Sequence, residues 1–249
     1  MRYLVHGVAI LGLTLLTQLG GLAWGAGVLS RRRGLRFAAV ALIAYAALFG
    51  AAHLAAPLAG RVALPCLGAP LRMQSPFYCL ALRNFVTPDL RAVARDAAAA
   101  LADDFPGTVT LALDGGFPFG GVPMLPHLSH ADGRKLDFAF FYADDAGYRP
   151  GVTASPLGYF AFERVGEETC PPASLTLRWD MHWMRPLLRD LRLERDRTAA
   201  LVRVLLRDRR VAKVFVEPPL AARLVLSDPR LRFQGCRAAR HDDHIHIQI

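Results

Sequence analysis

The first sixty positions carry almost no polar residues, whereas the rest of the chain mixes short apolar runs with charged ones. From about residue 3 to residue 29 the notable polar interruptions are His6 and Gln18, and a second apolar stretch runs from about 37 to 59. Each exceeds the roughly 20 residues that cross a bilayer as a helix. The pattern therefore predicts an N-terminal two-helix transmembrane hairpin over residues 1–60, with helices at about 4–29 and 37–59 joined by a basic loop, 30–36, that reads SRRRGLR. Its four arginines assign that loop to the cytoplasm, so both chain ends are expected on the opposite face. A signal peptide cleaved near Ala23-Trp24-Gly25-Ala26 is the rival reading, and it too exports the remainder.

Beyond residue 60 the period changes from element to element. Residues 62–85 read as irregular, broken by Pro65, Gly68, Pro70 and Pro76. Thr87-Pro88-Asp89 is an N-cap with Pro at the first helical position, and it predicts a helix to about 103 with Leu90, Val93, Ala97 and Leu101 on one face. TVTLALD (108–114) alternates as a strand, and GGFPFGG after it is a Gly-rich loop without the Lys and Ser/Thr of a phosphate-binding loop. A strand is expected in KLDFAFFYAD (135–144), helices near 183–191 and at about 196–208, a strand in VAKVFVE, a short helix in PLAARLVL and a last strand in HIHIQI. The sum is an α+β domain over residues 61–249, long enough to bury its own core.

Charge changes the picture little. The formal net charge is +9, but five of the 30 basic residues lie in the hairpin, leaving 25 against 21 acidic, or +4, for the domain. That balance is ordinary and points to no nucleic-acid partner. All four cysteines lie beyond the hairpin. An even count in an exported domain suggests two disulfides. Three connectivities are open, of which Cys66 with Cys79 and Cys170 with Cys236 is favoured; four reduced, buried thiols are the alternative.

The candidate chemistry sits at the end of the chain, in HDDHIHIQI. In a strand, His244, His246 and Gln248 face one way and Ile245, Ile247 and Ile249 the other. Two imidazoles are then presented on a rigid element, as a metal site requires. A His-x-His pair alone is weak evidence. Far upstream, in PHLSHADGRKLDF, His130 opens a turn through Gly133 and Asp137 begins a strand. Two histidines and one carboxylate form a donor set suited to zinc, with a fourth tetrahedral position left for water.

Ser129-His130-x-x-Gly133-x-x-x-Asp137 with His244-x-His246 resembles the zinc signature of the LAS group, which joins lysostaphin-type enzymes, D-alanyl-D-alanine carboxypeptidases and hedgehog-like domains. It is most similar to the penicillin-insensitive murein endopeptidase family, whose additional histidines, three residues before the first ligand and three before the His-x-His pair, are matched by His127 and His241. The resemblance spans about 64–249. It implies a LAS-type zinc peptidase domain with a central antiparallel sheet flanked by helices, and Zn2+ on His130, Asp137 and His246. It implies His244 as general base or stabiliser of a developing oxyanion, with His241 and Asp243 as alternatives, and His127 and Ser129 at the cleft.

The function so implied is a zinc metallopeptidase of the bacterial inner membrane, anchored in the lipid bilayer by the hairpin. Its domain would lie in the periplasm and hydrolyse D-alanyl-meso-diaminopimelyl bonds in peptidoglycan peptide stems. A D-alanyl carboxypeptidase, another zinc amidase and a non-catalytic scaffold of the same fold are the alternatives. Two departures bear on substrate preference: Lys135 replaces an acidic residue, and RWDMHWM replaces a more typical Arg-Asn-Trp. Ser129 has no nucleophile elbow around it and is expected to cap the turn. Asp242 and Asp243 read as a solvated turn or as acceptors fixing histidine tautomers. His182, Trp179 and Trp183 are expected to pack rather than to line the cleft.

Overall fold

A computed structural model of the chain describes residues 1–30, 36–163, 170–171, 175–179 and 181–249, without the side chains of Arg2 and His182. The arginine triplet of the expected basic loop and the side chain of His182 thus lie outside the described residues.

The apolar N-terminal region forms helices α1 (Arg2–Thr17), α2 (Gly20–Ser30) and α3 (Phe37–Ala55), the last continuing into a 3-10 turn, Ala56–Ala59. The single helix expected at 4–29 is broken at Gln18, whose φ is 62°. The reason is local. The Gln18 amide leaves the helix to bond one backbone unit of the domain, donating to the Phe119 carbonyl at 2.6 Å and accepting from the Phe119 N–H at 3.1 Å. Glycine then lets α2 fold back: a Cβ on Gly21 would lie 2.6 Å from the Ile10 carbonyl, so only a bare backbone fits. Trp24 Nε1 donates to His6 Nδ1 at 3.3 Å, and the His6 and Phe37 rings are 6.4 Å apart.

Consequently α1 and α2 are antiparallel, their turn touches the domain, and the Met1 end lies at the far end of the layer, beside the start of α3. The two-helix hairpin expected over residues 1–60 is thus not formed: one helix long enough to span is present among the described residues, and the run before it is divided into two shorter helices. The 23-residue segment Phe37–Ala59 is long and apolar enough to cross a membrane. At 16 and 11 residues, α1 and α2 fall short of the roughly 20 needed.

The stretch read as irregular holds strands β1 (Val62–Ala63) and β2 (Leu71–Met73), helix α4 (Pro76–Leu80) and strand β3 (Phe85–Val86). Then come α5 (Pro88–Asp104), β4 (Thr110–Ala112), a 3-10 turn (Leu128–Asp132), β5 (Lys135–Ala139), β6 (Tyr142–Asp144) and β7 (Gly147–Tyr148). A 3-10 turn (His182–Leu187), β8 (Arg192–Leu193), α6 (Arg195–Arg207), β9 (Lys213–Phe215), α7 (Pro218–Arg223), β10 (Leu231–Arg232) and β11 (His244–Gln248) complete the domain. The strand expected over 135–144 divides between two sheets, and the helix expected at 183–191 is only a 3-10 turn. Pro186 lies inside that turn and offers no N–H to continue it.

The main sheet has the order β10-β9-β11-β5-β4-β2 and is mixed rather than antiparallel. Its four central strands are antiparallel neighbours, while β2 runs parallel to β4 and β10 parallel to β9. Parallel neighbours need a crossover connection, and α5 and α7 lie in those two crossovers.

Helix α5 starts as expected, with the Thr87 hydroxyl accepting from the Leu90 N–H. Its buried Leu90, Val93, Ala97 and Leu101 join Leu201, Val202 and Leu205 of α6 over Leu136, Phe138, Ile245 and Ile247 of the sheet. Burying one such isoleucine stabilises by about 1.5–3 kcal/mol. A smaller cluster of Leu19, Ala52, Ala56, Leu82 and Phe85 joins the helical layer to the domain. Both favoured disulfides, Cys66–Cys79 and Cys170–Cys236, are formed.

Candidate metal centre

The pairing of β11 with β5 sets His246 opposite Asp137 and Ile247 opposite Leu136. With the isoleucines committed to the core beneath α5 and α6, the histidines and Asp137 share the other face. The third member, His130, sits on the 3-10 turn that precedes β5, and that turn is held by its backbone. The Arg61 guanidinium donates to the carbonyls of Asp132 and Ala131, and the Lys135 ammonium donates to the Ser129 carbonyl at 2.6 Å and to Asp132 at 2.7 Å. Lys135, a departure from the family pattern, therefore steadies the turn that carries His130. Gly116 packs directly beneath it, since a Cβ there would stand 2.9 Å from the His130 carbonyl.

His130 Nδ1 donates to the Gly115 carbonyl at 2.7 Å, which leaves the lone pair of Nε2 turned inward. That Nε2 is 3.3 Å from His246 Nδ1 and 3.6 Å from Asp137 Oδ1, and His246 Nδ1 is 2.7 Å from the same carboxylate oxygen. Ligand atoms of a tetrahedral zinc site lie about 3.3 Å apart at ordinary bond lengths. The three groups expected to bind the ion thus meet around one point, where the proton on His246 Nδ1 is all that separates two lone pairs. Such a donor set suits a divalent cation, whose binding would release that proton. A second grouping, His127 with His130 and Asp137, also brings one ligand atom from each within 4.8 Å of the others.

The surroundings orient this set. The second oxygen of Asp137 accepts from the Tyr159 hydroxyl at 2.7 Å and lies 3.4 Å from His127 Nδ1. His127 Nδ1 donates to Asp114 Oδ2 at 2.8 Å, and Arg83 grips both oxygens of Asp114 at 2.6 and 2.8 Å. Arg83, Asp114 and Tyr159 are absent from the residues that the sequence marks out. Asp114 could have been noticed as the carboxylate closing a strand just before the Gly-rich loop; no local signal marks the other two.

Asp243 bonds His244 Nδ1 at 2.5 Å and accepts from the Phe160 N–H at 2.6 Å, so it fixes the His244 tautomer rather than facing the ion. It is buried, as is Asp242, which pairs with Arg240. The solvated-turn alternative thus gives way to the tautomer-fixing one. His244 Nε2 points back toward the cluster, 3.9 Å from Asp137 Oδ1. The His241 ring lies 4.8 Å from that of His244 and 5.5 Å from that of His246, and its buried Nδ1 has no hydrogen-bond partner among the described residues. Ser129 is exposed and lends its carbonyl to Lys135; no side-chain bond caps the turn, and it does not line the cleft.

Charge follows from this packing. Burial pushes the His130 imidazolium down to about 4, against the pull of Asp137, so its lone pair is free at neutral pH. Burial would raise the Asp137 carboxyl, but His130, His244 and His246 hold it well below the usual range. His241 is driven far down by burial and by its two histidine neighbours. For His244 burial also lowers, yet Asp243 and Asp137 outweigh it and raise the group to about 9.

Beside His127 and His244 lies a cleft walled by Phe160, Phe162, Leu177 and Trp179. Arg240 lies over the Phe162 ring at 4.6 Å. Trp179 is 51% exposed and belongs to this wall, and Trp183 is 69% exposed, so neither packs in the core as expected.

No family model matches this chain, and no curated protein matches it. The centre defines a candidate metal-binding domain of α+β architecture, joined to an apolar helical layer.

Proposed function

We propose that the chain is a membrane-anchored metallohydrolase that cuts amide bonds in peptidoglycan cross-links, with zinc held by His130, Asp137 and His246. One observation carries the reading: the inward atoms of those three residues converge within 3.6 Å, with a fourth imidazole, His244, directed at the same point. Zinc there would supply Lewis-acid chemistry at an amide carbonyl. Tyr159 holds one oxygen of Asp137 and leaves the other to the centre. Paired with Asp243, His244 favours the protonated form, which suits it to stabilise negative charge growing on a carbonyl oxygen and to return a proton to the leaving amine. His241, kept neutral by burial and its two histidine neighbours, would border the centre as an uncharged ring. The half-exposed Trp179 wall would receive the peptide.

The peptidoglycan assignment rests on the resemblance of the histidine spacing. The placement rests on the long apolar helix and the disulfides, which suit an oxidising compartment. The basic loop would then face the cytoplasm and the domain the periplasm.

Digestion of purified sacculi by the zinc-loaded full chain, with fragments read by mass spectrometry, tests the reading. New free amino ends at cross-links are expected. Loss of terminal D-alanine alone would support a carboxypeptidase instead, and unchanged sacculi despite bound zinc would leave a scaffold.

A further inference from the structure

The helical layer and the metal centre are not separate modules joined by a linker. The α1–α2 turn meets the loop that leads into His127. The Leu125 N–H donates to the Leu15 carbonyl at 3.0 Å, and Gln18 brackets the backbone of Phe119. Arg83, which holds Asp114 and through it His127, also donates to the carbonyls of Leu16 and Leu125 at 3.2 and 2.8 Å. At the other end of the layer's contact, Arg61 stands two residues past the Phe37–Ala59 segment and bonds the turn that carries His130. Leu125 and His127 are two residues apart, at most about 7.6 Å between Cα atoms, so the turn's contact lies next to a residue that borders the centre.

The domain also reaches down beside the long helix. The Tyr45 hydroxyl donates to the Leu80 carbonyl at 2.7 Å, and Tyr45 lies 14 residues before the end of the Phe37–Ala59 segment. At 1.5 Å per residue that is about 20 Å along the axis, farther than a tyrosine side chain spans. Helix α4 must therefore lie well below the top of the segment, and its Phe77 and Leu80 are exposed there. The exposed side chains of Leu16, Leu125 and Leu128 continue the apolar surface from α1 to the cleft residue Pro126.

From this we infer that the cleft works at the bilayer surface and takes a peptide carried on a lipid anchor, its scissile amide held close to the lipid boundary. The inference rests on the peptidase reading above and deepens it: the membrane-attached form of the peptide is the preferred substrate.

A spacer series tests it. The zinc-loaded full chain in phosphatidylethanolamine–phosphatidylglycerol nanodiscs is given a cross-linked muropeptide joined to a palmitoyl chain through rigid runs of proline, at about 3.1 Å per residue. Cleavage is expected to be fastest with about three prolines and at least tenfold slower with about twelve, a span of about 37 Å. Equal rates along the series, or equal cleavage of the unanchored muropeptide, would overturn the inference and leave the peptidase reading standing. If no probe is cut, binding to the same nanodiscs decides: tighter capture of the short-spacer probe sustains the surface site while sinking the peptidase, and equal capture sinks both.

Discussion

The two faces of β11 are equally hidden and chemically opposite. Ile245 and Ile247 are fully buried under α5 and α6, while His244 and His246, one residue away, are 4% exposed on the other side. The apolar face needs only close packing to be stable. The polar face buries several ionisable groups at once, and it is tolerable because nearly every one has a partner, from Arg83 on Asp114 to Asp243 on His244. One strand therefore anchors the fold with one set of side chains and presents candidate metal ligands with the other.

Paired substitutions on β11 should separate those roles most sharply. His246→Ala should abolish zinc binding and hydrolysis while the protein stays folded. Ile247→Ala should cost about 2–5 kcal/mol of stability and leave zinc stoichiometry intact in the folded fraction. Metal analysis and urea unfolding on both variants check this; loss of zinc from the isoleucine variant alone would erase the distinction.

Arg83→Met comes next. Leaving Asp114 buried without its guanidinium should cost about 3–5 kcal/mol. Adding Asp114→Asn should recover part of that loss in urea unfolding, and a double variant as unstable as the sum of the singles would refute the coupling.

The smallest effect is on pH dependence in the metal-free protein. The folded-state value of His244 is raised to about 9, so its stabilising contribution is complete below the unfolded value near 6.5 and fades as pH rises through 9. Asp114 and Asp137 are lowered, so their contributions are present above about pH 4 and fade as pH falls below it. His130 and His241 are lowered, so they cost stability as pH falls below about 6.5, and the urea midpoint should be highest near pH 6.5, with a change of at most about 1.4 kcal/mol per pH unit for each group. A midpoint that stays level from pH 7 to 10 would remove His244 from this account.

Much of this was legible where the cause is local. Alternation exposed both faces of β11, Thr87-Pro88 announced α5, and the spacing around His130 and Asp137 placed two of the three candidate donors near each other. What escaped depends on distant partners. Arg83 and Tyr159 look like any Arg and Tyr until the fold brings them against Asp114 and Asp137. Gln18 looked like one polar residue inside a long apolar run, and its importance comes from Phe119, a hundred residues away. Gly20-Gly21 beside it was the local hint that the run turns back on itself.

The Cys170–Cys236 bridge has a consequence for where the protein can become competent. Leu177 and Trp179 of the cleft wall follow Cys170, and the Leu177 N–H donates to the carbonyl of Arg237, next to Cys236. The three candidate ligands stand on β5, β11 and the turn before β5, outside this tether. A chain still exposed to cytosolic thiols would hold the ion yet lack a fixed wall to grip a peptide. On the reading proposed above, oxidation after export would act as a licensing step, completing the cleft wall only once the chain has left the compartment of its synthesis.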